Sequence, residues 1–323
     1  MNQNAISCAM TTHNSMAYLK EQLDSLKNQN LPFDEVVIVD DASQDDTVPF
    51  VRSYIEENGL DHWKLIAHDT NQGFVASFRD ALAACSCPLI FLCDHDDIWY
   101  PEKTEVMVPF FDKYPGLKAL ASSFDLIDSE GGEIADRPSP RKANHNLIRR
   151  SVDSGVYNPM NFDDLMAYNI SPGCTIACTK GLADQYLALP NSLDLPHDWA
   201  LCAIAAIENG LGYLDRPLMG YRQHGSNTLG LSRRIGFEER REAARIDARQ
   251  KKALLDLANN FHATPEQIQK MTTIKQVFEE RSEALEEKSM FSLAALLFSS
   301  IGSGYALTIG MDMRALMTRG SQA

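Results

Sequence analysis

Four short apolar runs in the first hundred residues constrain the fold of this chain most strongly. They cover residues 6–10, 36–39, 64–68 and 89–93, and apolar residues at a spacing of three or four follow each of the first three. Short apolar or β-branched runs predict buried strands, and the wider spacing predicts helices. Strands and helices that alternate in this order predict a Rossmann-like α/β fold, with a mainly parallel sheet flanked by helices.

Polar clusters follow the four predicted strands directly, with the sequences THNS, DDASQDD, HDTNQG and DHDD. The carboxyl ends of parallel strands meet at one edge of a sheet, and α/β sheets bind their ligands beyond that edge. We therefore expect a ligand site there. Asp40 and Asp41 are suited to accept hydrogen bonds from a nucleobase or a ribose. The alternative is that the acids of this turn cap the next helix, around Asp45 and Asp46.

The fourth cluster holds two carboxylates in the pattern Asp-x-Asp, Asp94 and Asp96. Residues two apart in an extended chain point the same way, so both side chains can face one site. Two neighbouring carboxylates repel each other unless a cation lies between them, and Mg²⁺ or Mn²⁺ prefers oxygen ligands. The pair therefore predicts a divalent-metal site that neutralises a diphosphate. An acidic turn that caps the helix from Pro101 onward is the alternative.

Two later residues are candidates for the chemistry. Asp198, in the sequence His197-Asp198-Trp199, is a candidate general base, because a hydroxyl acceptor needs a base within hydrogen-bond reach. The alternative for Asp198 is a helix N-cap. His224 offers an imidazole nitrogen to a metal ion, although a single histidine can also be purely structural.

The charge of the chain argues against a nucleic-acid partner. Lys and Arg total 30 against 44 Asp and Glu, for a formal net charge of −14, whereas nucleic-acid binding needs a basic surface. The seven cysteines are odd in number and lack CxxC or zinc-like spacing, which predicts buried, reduced thiols. The N-terminus lacks the basic region and apolar core of a signal peptide, so a cytoplasmic location is expected.

Four segments together resemble the family-two glycosyltransferases that have the GT-A fold. They are AMTTHNSMAYLKEQLDSLKNQ, VVIVDDASQDDT, NQGFVASFRDAL and LIFLCDHDDIWYPEK, in matching order and spacing. PGC at 172–174, HDW at 197–199 and YRQHGSN at 221–227 extend the likeness over about residues 5–230. These elements look most like bacterial rhamnosyltransferase-type members. His13 departs from the family, which usually has Tyr or Phe at that position.

The resemblance implies an inverting, metal-dependent transfer of a sugar, with rhamnose as a candidate, from a UDP- or dTDP-linked donor. The implied acceptor is a polysaccharide or glycolipid at the inner face of the cell membrane. Asp198 is the implied base, and Asp96 and His224 are the implied ligands of Mg²⁺ or Mn²⁺. The implied donor-binding residues are Thr12, Asn14, Asp40, Asp41, Asn71, Gly73 and Asp94, and the implied acceptor-side residues are Gly173, Cys174, His197 and Trp199.

Two other functions are the alternatives to a glycosyltransferase. A nucleotidyltransferase, or another nucleotide-sugar enzyme on a similar sheet, would need a Gly-rich, basic loop after the first strand, and TTHNSM has neither property. A sugar-binding protein without transferase activity would be expected to lose Asp198 or the Asp-x-Asp pair, and both are present.

The composition predicts two parts of the chain. Residues 1–230 form the catalytic domain, with a nucleotide-sugar half to about residue 118 and an acceptor half from about 119. Residues 231–323 form a charged helical extension. Within it, residues 290–311 carry no charge, and we expect a helix that binds a membrane surface or a partner. Packing against the catalytic domain and a true membrane span are the alternatives.

Overall fold

The computed structural model describes residues 5–134, 152–225, 236–303 and 305–318. Its strands are β1 (Ile6–Thr12), β2 (Glu35–Asp40), β3 (Trp63–Ala67), β4 (Leu89–Cys93), β5 (Ile98–Trp99), β6 (Ala119–Ile127), β7 (Tyr157–Met160), β8 (Ile176–Thr179) and β9 (Leu211–Arg222). Its helices are α1 (Leu19–Lys27), α2 (Thr47–Glu57), α3 (Phe74–Ala84), α4 (Lys103–Lys113), α5 (Lys180–Leu187), α6 (His197–Ile207), α7 (Phe237–Asn260), α8 (Pro265–Glu286), α9 (Met290–Ser299) and α10 (Ala306–Thr318). Within these residues, the strands form one sheet in the order β3-β2-β1-β4-β8-β6-β9-β5, and β7 pairs with β9.

The first four strands form the parallel part of the sheet that the sequence predicts. Strand β1 pairs in parallel with β2 and β4, and β2 pairs in parallel with β3. Every residue of β1, β2 and β4 is buried, as expected of strands that are covered on both faces. The register places Thr12 beside Asp40 and Asp40 beside Ala67. The polar clusters therefore share one edge of the sheet.

The second half of the sheet is mixed rather than parallel. Strand β8 runs antiparallel between β4 and β6. Strand β9 runs parallel to β6 but antiparallel to β5 and β7. The prediction of a mainly parallel sheet therefore describes the nucleotide half better than the acceptor half. Strands β5, β7 and β8 have only two to four residues each, which is too short for a hydrophobic period to predict them.

Helices cover both faces of the sheet. Alternate residues of β1 point to opposite faces: Ala9 packs in the cluster that contains helices α3, α5 and α6, whereas Cys8 and Met10 pack in the cluster that contains α1, α2 and α4. All eleven residues of α6 are buried. This explains its almost uniformly apolar sequence, and it means that the residues at its first turn are held by a rigid core element.

The helical extension packs on this core. Leu254 and Leu257 of α7 and Met271 and Phe278 of α8 belong to the same buried cluster as α6. The last helix is attached by ion pairs, in which the guanidinium groups of Arg240 and Arg281 each lie 2.6 Å from the carboxylate of the buried Asp312. The predicted domain boundary at residue 230 lies outside the described residues.

The uncharged segment 290–311 does not form one continuous helix. It contains α9, a turn at Gly302 with φ of +86°, and the start of α10. Leu293, Leu296 and Ile309 are buried against the extension. Over the described residues, no helix is both long and apolar enough to cross a membrane. Helix α9 itself has ten residues.

Candidate functional site

Asp40, at the end of β2, is fully buried and fixes the turn that follows it. Its carboxylate accepts hydrogen bonds from the Thr12 hydroxyl at 2.8 Å and from the Ser43 hydroxyl and backbone N–H at 2.5 and 2.8 Å. These bonds join the ends of β1 and β2. The N-terminal turn of α2 takes its bonds from Asp45 instead, whose Oδ1 accepts from Thr47 N. The N-cap residue is Asp46, whose side chain makes no capping bond, so Asp45 supports the start of α2 and Asp40 does not.

Asp41 holds the third polar cluster against the second. Its two oxygens accept from the backbone N–H groups of Gln72 and Gly73, each at 2.8 Å, and His68 Nδ1 lies 3.2 Å away. Burial favours the neutral acid, but the bonds from Gln72, His68 and Gly73 outweigh it and keep the pKa of Asp41 below its usual range. These bonds therefore keep the Asp41 carboxylate charged, and they also fix the loop at residues 71–73.

The other predicted donor residues line the same exposed edge. Asn14 has a positive φ of 50°, and its side-chain oxygen accepts from Gln44 N at 2.8 Å. Asn71 is exposed, and its amide donates to Asp41 O at 3.4 Å. Gly73 has a φ of +85° and stands just before α3, a conformation that a side chain would strain. The structure thus brings together Thr12, Asn14, Asp41, Asn71 and Gly73.

The Asp-x-Asp pair lies beyond β4, beside the late histidine. His224 Nε2 and Asp96 Oδ2 are 2.9 Å apart, and both side chains are largely buried. Burial, followed by the negative charges of Asp96 and Asp198, raises the pKa of Asp94 to about 7. Asp94 is thus close enough to Asp96 and to Asp198 to be repelled by both. Helix α4 has Glu102 as its N-cap residue, which gives no support to the helix-capping alternative for this cluster.

A buried layer lies beneath this pair, and sequence reasoning missed most of it. Ligand atoms of Asp94, Asp97 and Cys174 lie within 4.8 Å of one another. Burial, then the charges of Asp97 and Asp94, raises the pKa of the Cys174 thiol well above its usual value. The buried ammonium of Lys103 donates to Cys174 O at 2.6 Å and lies 3.6 Å from the centre of the Trp99 ring. Lys103 stands between Glu102 and Thr104 in the sequence, so its immediate neighbours give no sign of its burial.

The donor atoms fit a divalent cation better at Asp96 and His224 than in the buried layer. Adjacent ligands in an octahedral shell with bonds of about 2.1 Å lie about 3 Å apart, which matches the 2.9 Å between Asp96 Oδ2 and His224 Nε2. A protonated thiol such as Cys174 is a poor ligand for a hard cation. In addition, Asp97 Oδ1 is engaged by Arg222 N at 3.0 Å.

Asp198 lies in the first turn of α6, and Pro196 is the N-cap residue. The N-cap alternative is therefore not the geometry that forms. The Asp198 carboxylate accepts from Trp199 N at 2.7 Å. Burial raises the pKa of Asp198 to about 6, against the opposing effect of nearby donors that include Asn169 and the Gly173 N–H. A buried carboxylate whose pKa is near neutral is suited to accept a proton.

The predicted acceptor-side residues pack around Asp198. A Cβ at Gly173 would lie 2.9 Å from His197 Nε2 and 3.5 Å from Asp198 Cβ, so the glycine permits the close approach. The His197 ring stacks on Phe78 with centroids 3.8 Å apart, and burial lowers its pKa to about 3. Trp199 is buried, and its indole N–H donates to Leu165 O at 3.0 Å. His197 and Trp199 thus pack behind Asp198, and contact with an acceptor stays a prediction.

The sequence of residues 7–163 matches the model of the family described as Glycosyl transferase family 2. An uncharacterized glycosyltransferase of Nostoc sp. is 31% identical over 225 residues, which cover 69% of this chain and 66% of the relative. The chain belongs to glycosyltransferase family 2. The dTDP-rhamnosyl transferase RfbG of Shigella flexneri is 26% identical over 68% of this chain and 73% of its own length. An uncharacterized Mycobacterium tuberculosis protein is also 26% identical, and the chain spans 59% of that relative's length.

Solved glycosyltransferase structures share the fold. S. aureus TarS 1-349 in complex with UDP-GlcNAc aligns with a TM-score of 0.57 at 19% identity, over 98% of this chain and 92% of that one. The mannosyltransferase PcManGT of Pyrobaculum calidifontis, in complex with GDP-Man and Mn²⁺, aligns with a TM-score of 0.54 at 17% identity, over 98% and 86%. The predicted GT-A fold is confirmed. At these identities the likeness carries the fold alone.

The family match covers only part of the site. Asp41, Asp94 and Asp96 lie within the matched residues 7–163, whereas Asp198 and His224 lie beyond them. The structure of the family-two chain brings the two groups together, because β8 and β9 add to the same sheet as β4. Asp198 and His224 are therefore tied to the matched region by geometry.

Proposed function

We propose that this protein is an inverting, metal-dependent glycosyltransferase that takes a sugar from a nucleoside-diphosphate donor. The observation that carries the proposal is the meeting of Asp198 with Asp94 and Asp96 at one edge of the sheet, where burial, followed by the charges of Asp96 and Asp198, raises the pKa of Asp94 to about 7. Such a site combines a group able to accept a proton with carboxylates that favour a cation. Transfer of a sugar to a hydroxyl can use both, the first to deprotonate the acceptor and the second to stabilise the leaving diphosphate.

In the proposed reaction, Asp198 takes the proton of the acceptor hydroxyl. The acceptor oxygen attacks the anomeric carbon, and the bond from that carbon to the donor phosphate oxygen breaks on the opposite side. The products are the glycosylated acceptor with inverted configuration and a nucleoside diphosphate. Burial of Asp198, which raises its pKa to about 6, strengthens it as a base relative to an exposed aspartate while leaving it charged at neutral pH.

Asp96 and His224 would hold a Mg²⁺ or Mn²⁺ ion in this proposal, with Asp94 close by. A bound divalent ion would neutralise the charge that develops on the departing diphosphate. The loop that Asp41 fixes, with Thr12, Asn14 and Asn71 beside it, would bind the nucleotide. Asp40 would act indirectly, because Thr12 and Ser43 already engage its carboxylate.

We propose a UDP- or dTDP-linked donor. The support comes from the Shigella relative, which is named as a dTDP-rhamnosyl transferase, and from the TarS complex with UDP-GlcNAc. Rhamnose is accordingly a candidate sugar, and a polysaccharide or lipid-linked glycan is the proposed acceptor. An enzyme that acts on such an acceptor would be located at the inner face of a cell membrane.

Helices α9 and α10, with the turn between them, support a peripheral membrane contact. We define the apolar C-terminal face as Phe291, Phe298, Ile301, Leu307 and Met317, whose exposed fractions are 85, 80, 71, 62 and 63%. Helix α9 carries no charged residue. Protruding aromatic and aliphatic side chains without charges favour insertion at a lipid surface, and exposed apolar clusters of this kind mark interaction sites.

A donor-hydrolysis and transfer screen tests the proposed activity. UDP-, dTDP- and GDP-sugars are incubated with the purified protein, with Mn²⁺ or with excess EDTA, and release of nucleoside diphosphate is measured. We expect turnover of a pyrimidine-linked donor only with the cation, and loss of turnover in Asp96→Asn with an unchanged melting temperature. Full turnover in EDTA would show that the metal-dependent mechanism is wrong.

A vesicle-sedimentation assay tests the membrane contact. Full burial of a Phe side chain contributes about 1.5–3 kcal/mol, so the Phe291→Ser/Phe298→Ser double variant should bind phosphatidylethanolamine/phosphatidylglycerol vesicles at least about tenfold more weakly. Ile246→Ser, on the exposed side of α7, is the control and should bind like the parent protein. Equal binding by the double variant would rule out this face as the lipid contact.

A further inference from the structure

Arg222 lies two residues before His224 and is fully buried, although it carries a charge. Its guanidinium Nε donates to the backbone oxygen of Asp96 at 2.7 Å, and its backbone N–H donates to Asp97 Oδ1 at 3.0 Å. Side chain and backbone of one arginine thus hold two consecutive residues of the Asp-x-Asp loop. Because a buried guanidinium is costly without partners, its position is strongly determined.

The other two guanidinium nitrogens of Arg222 bind two further segments of the chain. Nη1 donates to the backbone oxygens of Asp128 and Ser129 at 3.3 and 3.1 Å, in the turn after β6. Nη2 lies 2.5 Å from the carboxylate of Glu21 on α1. The planar fork of an arginine can serve carbonyls in several directions at once, which the single ammonium of lysine cannot do.

Tyr18 completes a closed set of contacts that includes Asp96 and His224. The Arg222 guanidinium lies 4.6 Å from the centre of the Tyr18 ring, a cation–π distance. The same ring lies 4.8 Å from the His224 ring, at an angle of 39°. His224 in turn contacts Asp96, whose carbonyl is bound by Arg222. The contacts therefore start at Arg222 and return to it.

We propose that Arg222 and Tyr18 are positioning residues that pre-form the metal site, by holding the Asp96 backbone and the His224 ring in place. Neither is a ligand. The proposal rests on the metal site in the proposed function and assigns a role to residues that the sequence analysis did not single out. Partners of metal ligands typically change metal affinity by about 10–100-fold when they are replaced.

Mn²⁺ titration of the purified full chain, followed by electron paramagnetic resonance without any donor, tests the proposal. We expect Arg222→Lys and Tyr18→Leu to weaken Mn²⁺ binding by about 10–100-fold. Tyr18→Phe, which keeps the ring, should restore nearly the parent affinity. Arg216→Lys is the matched control, because Arg216 lies on the same strand but is exposed, and it should bind Mn²⁺ normally.

The outcomes separate this inference from the proposed function. Mn²⁺ affinities within twofold of the parent in both Arg222→Lys and Tyr18→Leu would overturn the positioning role while leaving the metal site intact. A parent protein that binds no Mn²⁺ would overturn the metal site itself. If Arg222→Lys fails to fold, as measured by its thermal transition, Tyr18→Leu decides alone, since Tyr18 is only partly buried and its loss leaves the Arg222 hydrogen bonds in place.

Discussion

Asp40 and Asp41 lie at the end of strand β2, Asp94 and Asp97 lie just after strand β4, and the two pairs differ in what surrounds their oxygens. Hydroxyl and backbone N–H donors at 2.5–2.8 Å bind the first pair. The second pair faces other carboxylates, and burial together with that repulsion raises the pKa of both Asp94 and Asp97. The same residue type at the same edge of the sheet thus shapes a loop in one place and is poised for a cation or proton in the other.

The surroundings of the two pairs suit them to different tasks. A carboxylate that is satisfied by backbone donors is rigid and stays charged, so it is suited to build a pocket. A buried carboxylate near like charges is held at a cost in stability, and such groups concentrate at functional sites. Asp198 belongs with the second kind.

Replacing the base should have the largest effect. Asp198→Asn keeps the size of the side chain and its hydrogen bond from Trp199 N, but it cannot take a proton. General-base catalysis contributes about 10²–10⁴-fold, so kcat for sugar transfer should fall by that factor while the donor KM stays close to that of the parent. A loss of less than threefold would remove Asp198 as the base and leave it a structural member of the first turn of α6.

Crowding the base from behind should have the next largest effect. The Cβ of Gly173→Ala would lie 2.9 Å from His197 Nε2, so the first turn of α6 must shift. Misplacement of a catalytic group by about 1 Å can cost about 10²-fold, and we expect kcat to fall by about 10–100-fold. Gly181→Ala is the control, because nothing lies within 4 Å of its added Cβ. Similar rates for both alanine variants would contradict this constraint.

The nucleotide half of the fold was predictable because its signals are local. Strands β2 and β4 contain the uninterrupted apolar runs VVIV and LIFLC, and the predicted run 64–68 differs from β3 by one residue at each end. Parallel strands then place THNS, DDASQDD and DHDD at one edge without further information. The sequence also indicates which acids follow those strands, but not which of them are satisfied by backbone donors.

The acceptor half was less predictable because its contacts are distant in sequence. Arg222 lies 2.7 Å from the Asp96 carbonyl although 126 residues separate them, and Lys103 donates to Cys174 O across 71 residues. No periodicity in the sequence signals such pairs. His197 and Trp199 were predicted to face the acceptor, whereas their ring contacts with Phe78 and Lys251 are those of packed core residues.

The rate should depend on pH through Asp198, a buried carboxylate with a raised pKa. The pKa of Asp198 is raised by burial to about 6, and its charged form is the working base. The active fraction is therefore present above pH 6 and is lost as the pH falls through that value, by about tenfold per unit below it. We expect kcat at pH 5 to be about one tenth of its plateau. A plateau that extends to pH 4.5 would place the base elsewhere.

The smallest expected effect comes from the carboxylate that shapes the donor loop. In Asp41→Asn, one oxygen becomes an NH₂ group, which would face a backbone N–H of Gln72 or Gly73 instead of accepting from it. A hydrogen bond to a charged group contributes about 1.5–3 kcal/mol, and part of that loss falls on the folded protein rather than on the complex. We therefore expect the donor KM to rise by about tenfold, with kcat within about twofold of the parent. Asp34→Asn is the matched control, because Asp34 accepts from Ile6 N at 2.9 Å at the opposite edge of the sheet. A KM that is unchanged in Asp41→Asn, or raised equally in Asp34→Asn, would show that the two groups of aspartates do not divide binding from chemistry.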